Sequence, residues 1–240
     1  MDTFFRITCL AALTSLAIPA EPLRVICFGD STTALRQGVV TYCESLQKEY
    51  GDGRAVITNR GVPANTTADA KARFQRDVLD GRPGLVFLMF GLNDSAIDVW
   101  KKPPADRPRV SLEDYRANLT YFVKALQSAG ARPILLTFNP TQWTPKMKEL
   151  YGRPPYRPEA SDGLDVGRAE YLAAIRQVAA EKQVELLDVN GAFQAYAEAP
   201  GHALDDLLLD GIHPNSLGQG ITTNLARPVV ESAMNAREKQ

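Results

Sequence analysis

The chain carries two histidines, His202 and His213. An imidazole is the usual base for activating a hydroxyl, because it exchanges a proton near neutral pH. His213 stands three residues after Asp210 and directly before Pro214, whereas His202 sits in an Ala-Pro-Gly-His-Ala-Leu loop with no chemical neighbour. A carboxylate three positions from an imidazole can fold back in a turn, fix the tautomer and stabilise the imidazolium. A plain helix-capping turn would use the same residues. Ser31 is the matching nucleophile, reached through Gly29-Asp30 at the end of an apolar run. Asp30, Ser31 and Thr32 would equally serve as helix caps. A phosphate-binding loop is the poorer reading, since the segment has one glycine and no Walker lysine. Acyl transfer also needs hydrogen-bond donors for the developing oxyanion. Asn93 offers a side-chain amide, and the turn from Gly61 to Asn65 offers backbone N–H groups.

These positions fall on four blocks, FGDS ending at Ser31, NRGVPANTT from Asn59, GLND containing Asn93, and DGIHP from Asp210. Together they resemble the SGNH (GDSL-type) hydrolase family, over nearly the whole chain beyond residue 20. The resemblance implies Ser31 as nucleophile, His213 as base, Asp210 as its orienting acid, and an oxyanion hole from the Ser31 N–H, a second-block N–H and Asn93. Family members place a glycine five residues after the second-block asparagine, and here that position is Ala64. Gly61 in a shifted register is the alternative. The implied fold is a flavodoxin-like three-layer α/β/α sandwich with a five-stranded parallel sheet. The implied reaction is ester hydrolysis through an acyl-enzyme, without cofactor or metal. The family ranges over carbohydrate acetylesterases, lysophospholipases and thioesterases, and a non-catalytic glycan-binding protein of the same fold is the reading from another class. A secreted carbohydrate O-acetylesterase is the favoured expectation.

The elements that must position these groups can be read independently. Runs at Leu23–Phe28, Ala55–Asn59, Leu85–Phe90, Pro133–Phe138 and Val184–Val189 are short and almost wholly apolar, as strands buried on both faces of a parallel sheet are. Segments Tyr42–Tyr50, Thr67–Leu79, Leu112–Ala129 and Val166–Lys182 show helical spacing between them. Alternation of this kind argues for one α/β domain over residues 21–240. In such sheets ligands sit beyond the carboxyl ends of the strands, which is where Ser31, the 60–67 turn and Asn93 stand. Asp188, after the fifth run, is a spare carboxylate with a structural part expected. Asn139–Asp165 breaks the rhythm with five prolines plus Trp143, Tyr151 and Tyr156. These aromatics are candidates for substrate binding, by stacking on sugar rings, or they simply hold a surface excursion together.

Of 240 residues, 27 are Lys or Arg and 28 are Asp or Glu, giving a net charge of −1. This excludes broad attraction to nucleic acid or anionic lipid and leaves small-molecule or polysaccharide esters, uncharged ones by preference, as substrates. Met1–Ala20 reads as a secretory signal, with its apolar core at Ile7–Ile18 and a cut after Ala17 or Ala20. That core is shorter than the ~20 residues a membrane span needs, so a secreted or periplasmic protein without stable membrane insertion is expected. Cys27 and Cys43 are expected as buried free thiols, and no metal-ligand spacing occurs. Oligomeric state is left open.

Overall fold

The structure is a computed structural model that describes residues 21–238; the signal expected over Met1–Ala20 lies outside the described residues. Five strands, β1 (Leu23–Gly29), β2 (Ala55–Gly61), β3 (Leu85–Met89), β4 (Arg132–Leu136) and β5 (Glu185–Leu187), form one sheet in the order β2-β1-β3-β4-β5. Every neighbouring pair is parallel. The helices are α1 (Tyr42–Tyr50), α2 (Thr67–Asp77), α3 (Leu112–Ser128), α4 (Pro145–Tyr151), α5 (Arg168–Lys182), α6 (Val189–Glu198) and α7 (Ser216–Glu238). This is the α/β sandwich expected, with helices on both faces of the sheet.

Alternation along the strands divides the core between those faces. Val25 and Cys27 of β1 point toward α1, α6 and α7, where Tyr42, Leu46, Phe193 and Val230 are buried. Ile26 and Phe28 point the other way, among Phe74, Phe122 and Ile175 of α2, α3 and α5. Phe28 meets Phe74, Phe90 and Phe122 at ring centroid distances of 5.7, 5.3 and 5.9 Å, the tilted and edge-on contacts that aromatic quadrupoles favour.

The helix starts are set by local capping. Thr41 and Thr66 each form a reciprocal capping box, with Glu44 and Asp69, so each side chain satisfies an otherwise orphaned N–H. Ser111 accepts from the Asp114 N–H at 3.1 Å, at the start expected for the third helix. Most strand and helix ends shift by one or two residues from the sequence reading, and three differences have a clear local cause. The second helix stops at Asp77, and a 3-10 turn occupies Leu79–Gly81. The fifth strand shrinks to Glu185–Leu187, because Asp188 accepts from the Gly191 N–H and turns the chain into α6. The helix read from Val166 begins at Arg168, after Gly167 in the left-handed region. Helices α4, α6 and α7 were not anticipated, and α4 lies within the segment read as a loop. α7 contains Gly218, Gly220 and Pro228, breakers that conceal a helix from propensity alone. No helix among the described residues is long and apolar enough to cross a membrane.

The register brings the carboxyl ends of the inner strands level: Gly29 pairs with Gly61 and Met89, and Met89 with Leu136. The turns after β1, β2 and β3 therefore emerge side by side. β1 lies between β2 and β3, so the chain leaves it in opposite directions and opens a crevice there. Gly61 makes this close approach possible, since a Cβ there would sit 2.2 Å from the Ala34 nitrogen.

Candidate active site

Ser31 follows β1 in a tight turn built on Asp30. The Asp30 carboxylate accepts the Thr32 N–H at 2.8 Å and the Thr32 hydroxyl at 2.9 Å, an Asx turn that lifts the next side chain out of the strand. Burial raises the Asp30 carboxyl above its ordinary range. His213 reaches Ser31 from the other end of the chain, its Nε2 3.0 Å from Ser31 Oγ. Its Nδ1 is 2.8 Å from Asp210 Oδ2. Asp210 Oδ1 meanwhile accepts the main-chain N–H groups of Ile212 and His213 at 3.1 and 2.9 Å. Burial opposes the Asp210 charge, but the His213 ring and these N–H groups hold the carboxyl well below the usual range. A fixed carboxylate on Nδ1 keeps that proton in place and leaves Nε2 free to accept from the serine.

The Asp210–Pro214 turn is itself buttressed. Leu208 bridges to Pro214, and the Leu209 N–H donates to the His213 carbonyl at 2.8 Å. The start of the proline-rich segment supports it from outside: the Gln142 N–H donates to the Gly211 carbonyl at 2.7 Å, and Asn139 Nδ2 to the Ile212 carbonyl at 2.8 Å. Gly211 has φ +87, and a Cβ there would meet the Gln142 carbonyl at 2.3 Å.

The second-block turn holds both Ala64 and Gly61, in different surroundings. The Gly61 N–H donates to Asn59 Oδ1 at 2.8 Å. Val62-Pro63-Ala64-Asn65 has the pattern of a type II turn, with proline second, φ +63 at Ala64, and the Asn65 N–H on the Val62 carbonyl at 3.3 Å. Ala64 thus occupies a left-handed position that glycine takes without strain. Among the described residues neither the Ala64 N–H nor the Ser31 N–H has a hydrogen-bond partner, and both residues line the cleft. Arg73 of α2 anchors the turn. Its guanidinium donates to Asn65 Oδ1 at 2.7 Å, to the Arg60 carbonyl at 2.9 Å and to the Gly29 carbonyl at 3.0 Å.

Asn93 lies between the two turns. Its Nδ2 lies 3.2 Å from both Asp30 Oδ2 and the Asn65 carbonyl, so the amide spans the first and second turns through two long bonds. Its Oδ1 accepts from Arg109 Nη1 at 2.9 Å, which leaves the amide nitrogen on the side of Asp30 and Asn65. Arg109 is held in turn by Asp98, with contacts of 2.8–3.1 Å. Burial alone would raise the Asp98 carboxyl, but Arg109 and Lys101 together keep it below its ordinary range. Sequence reasoning missed Arg109, Asp98 and Arg73, whose spacing to their partners carries no local signal. Asp30 was read from sequence only as a helix cap, but no helix begins there and its carboxylate closes an Asx turn instead.

The cleft over these groups has a volume of ≈ 330 Å³ and is lined by Ser31, Ala64, Asn93, His213, Arg36 and Tyr151 among others. Of the three aromatics singled out in the proline-rich segment, Tyr151 alone is in that lining. Tyr156 is 3% exposed and packs with Val99, Met147 and Leu164, and its hydroxyl accepts the Ile97 N–H at 2.8 Å. Trp143 donates to the Ala160 carbonyl at 2.9 Å. Trp143 therefore ties the segment to itself, and Tyr156 ties it to the stretch after β3. Asp188 accepts from Thr137 and Arg176, far along the chain from the serine turn. Cys27 and Cys43 are buried and unbridged.

Three comparisons place the chain. The model of the GDSL-like lipase/acylhydrolase family matches residues 27–221. The uncharacterized lipoprotein YqeF of Bacillus subtilis (strain 168) is 32% identical over 89% of this chain and 88% of its own length. An acetylxylan esterase of Geobacillus stearothermophilus is 27% identical over 78% of each. LAE5, an alpha/beta hydrolase enzyme from the metagenome of Lake Arreo, Spain, superposes with a TM-score of 0.67 at 26% identity, covering 88% of this chain and 96% of its own. With a match running from the strand before Ser31 past the turn that carries His213, this chain belongs to the GDSL-like lipase/acylhydrolase family.

Proposed function

We propose that the protein is an exported serine esterase that removes acetyl groups from a carbohydrate through an acyl-enzyme. The observation that carries this reading is the line Asp210–His213–Ser31, at 2.8 and 3.0 Å, beside two unpaired backbone N–H groups at Ser31 and Ala64. Ser31 Oγ attacks the ester carbonyl while His213 Nε2 takes its proton, and Asp210 stabilises the imidazolium. The tetrahedral oxyanion receives hydrogen bonds from the Ser31 and Ala64 N–H groups and from the Asn93 amide, which exchanges one of its long bonds for it. His213 then protonates the leaving alcohol. A water molecule, deprotonated by the same nitrogen, attacks the acyl-serine and releases the acid. Each oxyanion donor is worth about 10²–10³ in turnover.

The acetyl preference is supported by the small cleft and by similarity to an acetylxylan esterase. Tyr151 offers a face to a sugar ring at the cleft wall. Export is supported by the character of Met1–Ala20 and by similarity to a protein called a lipoprotein. The test is hydrolysis of p-nitrophenyl acetate and octanoate by wild type and Ser31→Ala, with acetate release from a panel of acetylated polysaccharides. Hydrolysis that survives in Ser31→Ala refutes the serine mechanism. A preference for octanoate refutes the acetylesterase reading in favour of a lysophospholipase or thioesterase. Absence of turnover on every ester favours a glycan-binding protein.

A further inference from the structure

The walls of the cleft are cationic although the chain as a whole is neutral. Arg36, Arg109 and Arg168 line it with His213, and among the described residues no aspartate or glutamate does. Two of these cations are neutralised from behind. Arg109 is held by Asp98, and Arg168 donates to Asp165 and Thr141. Arg36 is different. It stands five residues after Ser31, half-buried at the wall, and its guanidinium makes no hydrogen bond or ion pair among the described residues. Its loop is nonetheless fixed. Arg36 bridges to Val39, whose N–H donates back to the Arg36 carbonyl at 3.1 Å, and the Val40 N–H donates to Ser216 Oγ at 3.1 Å. A guanidinium beside the nucleophile, on an anchored loop and without a counter-ion, presents a planar fork of donors to whatever enters.

We propose that Arg36 is a specificity-determining residue that receives an anionic group of the substrate, a carboxylate or phosphate carried near the scissile ester. This rests on the ester-hydrolase reading and refines its substrate class: the enzyme takes acidic esters, not the uncharged ones that net charge alone suggests. A free cation at a cleft of low net charge acts locally, so its effect falls on substrate affinity and is screened by salt.

The test compares 4-acetoxybenzoate with its methyl ester, which differ in one negative charge, for wild type, Arg36→Gln and Arg36→Lys. Arg36→Gln is expected to lower kcat/KM on the anion about tenfold more than on the methyl ester, through KM, as loss of one charge-assisted hydrogen bond would. Arg36→Lys restores part of the discrimination, and high salt erodes it in wild type and Arg36→Lys but not in Arg36→Gln. An equal effect of Arg36→Gln on both esters, or none on either, overturns the proposal. Binding of 4-hydroxybenzoate and its methyl ester to the Ser31→Ala protein, by calorimetry, supplies a readout independent of turnover. If no ester is hydrolysed yet the anion binds through Arg36, the esterase reading fails and the anion site stands. If both ligands bind alike with and without Arg36, the anion site fails. Two further pairs identify the source of the charge: acetylated xylo-oligosaccharides with and without a uronic acid, and lysophosphatidate against monoacylglycerol. The pair whose discrimination depends on Arg36 names it.

Discussion

Ala64 gives the sharpest test of the reading of this site, because one methyl group is set against one backbone angle. Its φ of +63 places the Cβ against the neighbouring carbonyl, which costs an L-residue roughly 1–2 kcal/mol. Ala64→Gly removes that cost in the folded state, while the added freedom of glycine in the unfolded chain takes back about 0.4–1 kcal/mol. The expected net gain is about 0.8 kcal/mol, or a rise in Tm of about 2 °C for a domain of this size. The N–H is retained, so turnover on p-nitrophenyl acetate should stay within about twofold if that N–H serves the oxyanion. Ala64→Val supplies the opposite arm, since a β-branched residue is a genuine outlier at positive φ, and its Tm should fall by several degrees. Differential scanning calorimetry of the three proteins at one pH decides the matter. A Gly variant less stable than wild type, or a Val variant equal to it, refutes the strain argument. A large loss of kcat in a stable Gly variant refutes the idea that the backbone N–H at this position is what matters.

Arg109→Gln frees the Asn93 carboxamide to rotate and takes one of two cations from buried Asp98. Steady-state kinetics should show kcat down about tenfold with KM little changed, and urea denaturation a loss of about 1–3 kcal/mol; an unchanged kcat shows that the Arg109 bond does not position the amide. Asp94 is buried against Thr67, its carboxyl pushed up to about 6 by burial despite the two Thr67 bonds. A raised folded-state value means that the proton stabilises the native protein, so this contribution is complete below about pH 4 and is lost as pH rises toward 6. The unfolding free energy from urea denaturation of wild type and Asp94→Asn from pH 4 to pH 7 should therefore move in favour of the variant, by roughly 3 kcal/mol across that window, and parallel curves count against the assignment. Gly61→Ala drives a Cβ to 2.2 Å from the Ala34 nitrogen and 2.6 Å from its Cα. The clash is with main chain and has no rotamer to relieve it, so a loss of about 2–3 kcal/mol is expected in the urea midpoint, and a neutral result shows that the serine turn is free to shift.

Where a functional group depends on residues close in sequence, it was legible. Strand periodicity located β1 to β4 because an apolar run bounded by turn residues is a local pattern, and the Asp210–His213 pair could be read because three residues span one turn. The same logic failed where a local cap overrode an apolar run, as Asp188 did in cutting β5 short, and where tertiary packing tolerated helix breakers, as in α7. Ala64 shows the boundary between the two. Pro63 announced a turn, but alanine in the third position concealed the left-handed angle that the Val62–Asn65 hydrogen bond imposes. The aromatic segment left two readings open because a sequence cannot tell an exposed ring from one whose hydroxyl is already bonded, as that of Tyr156 is to the Ile97 N–H.

The sequence by itself determined the class of fold, the edge of the sheet at which chemistry is placed, and the identities of Ser31, Asn93, Asp210 and His213 as candidates, since each sits in a block whose residue types carry its own meaning. Only the tertiary structure decided that Ser31 and His213, 182 positions apart, stand 3.0 Å from one another, that the Gly61 N–H is spent and the Ala64 N–H is not, and that Arg109 and Arg73 orient the donors. The reason is geometric. A turn or a strand is specified by neighbours along the chain, whereas a partner dozens of residues away is chosen by the register of the sheet and the packing of helices across it, which a linear pattern does not contain.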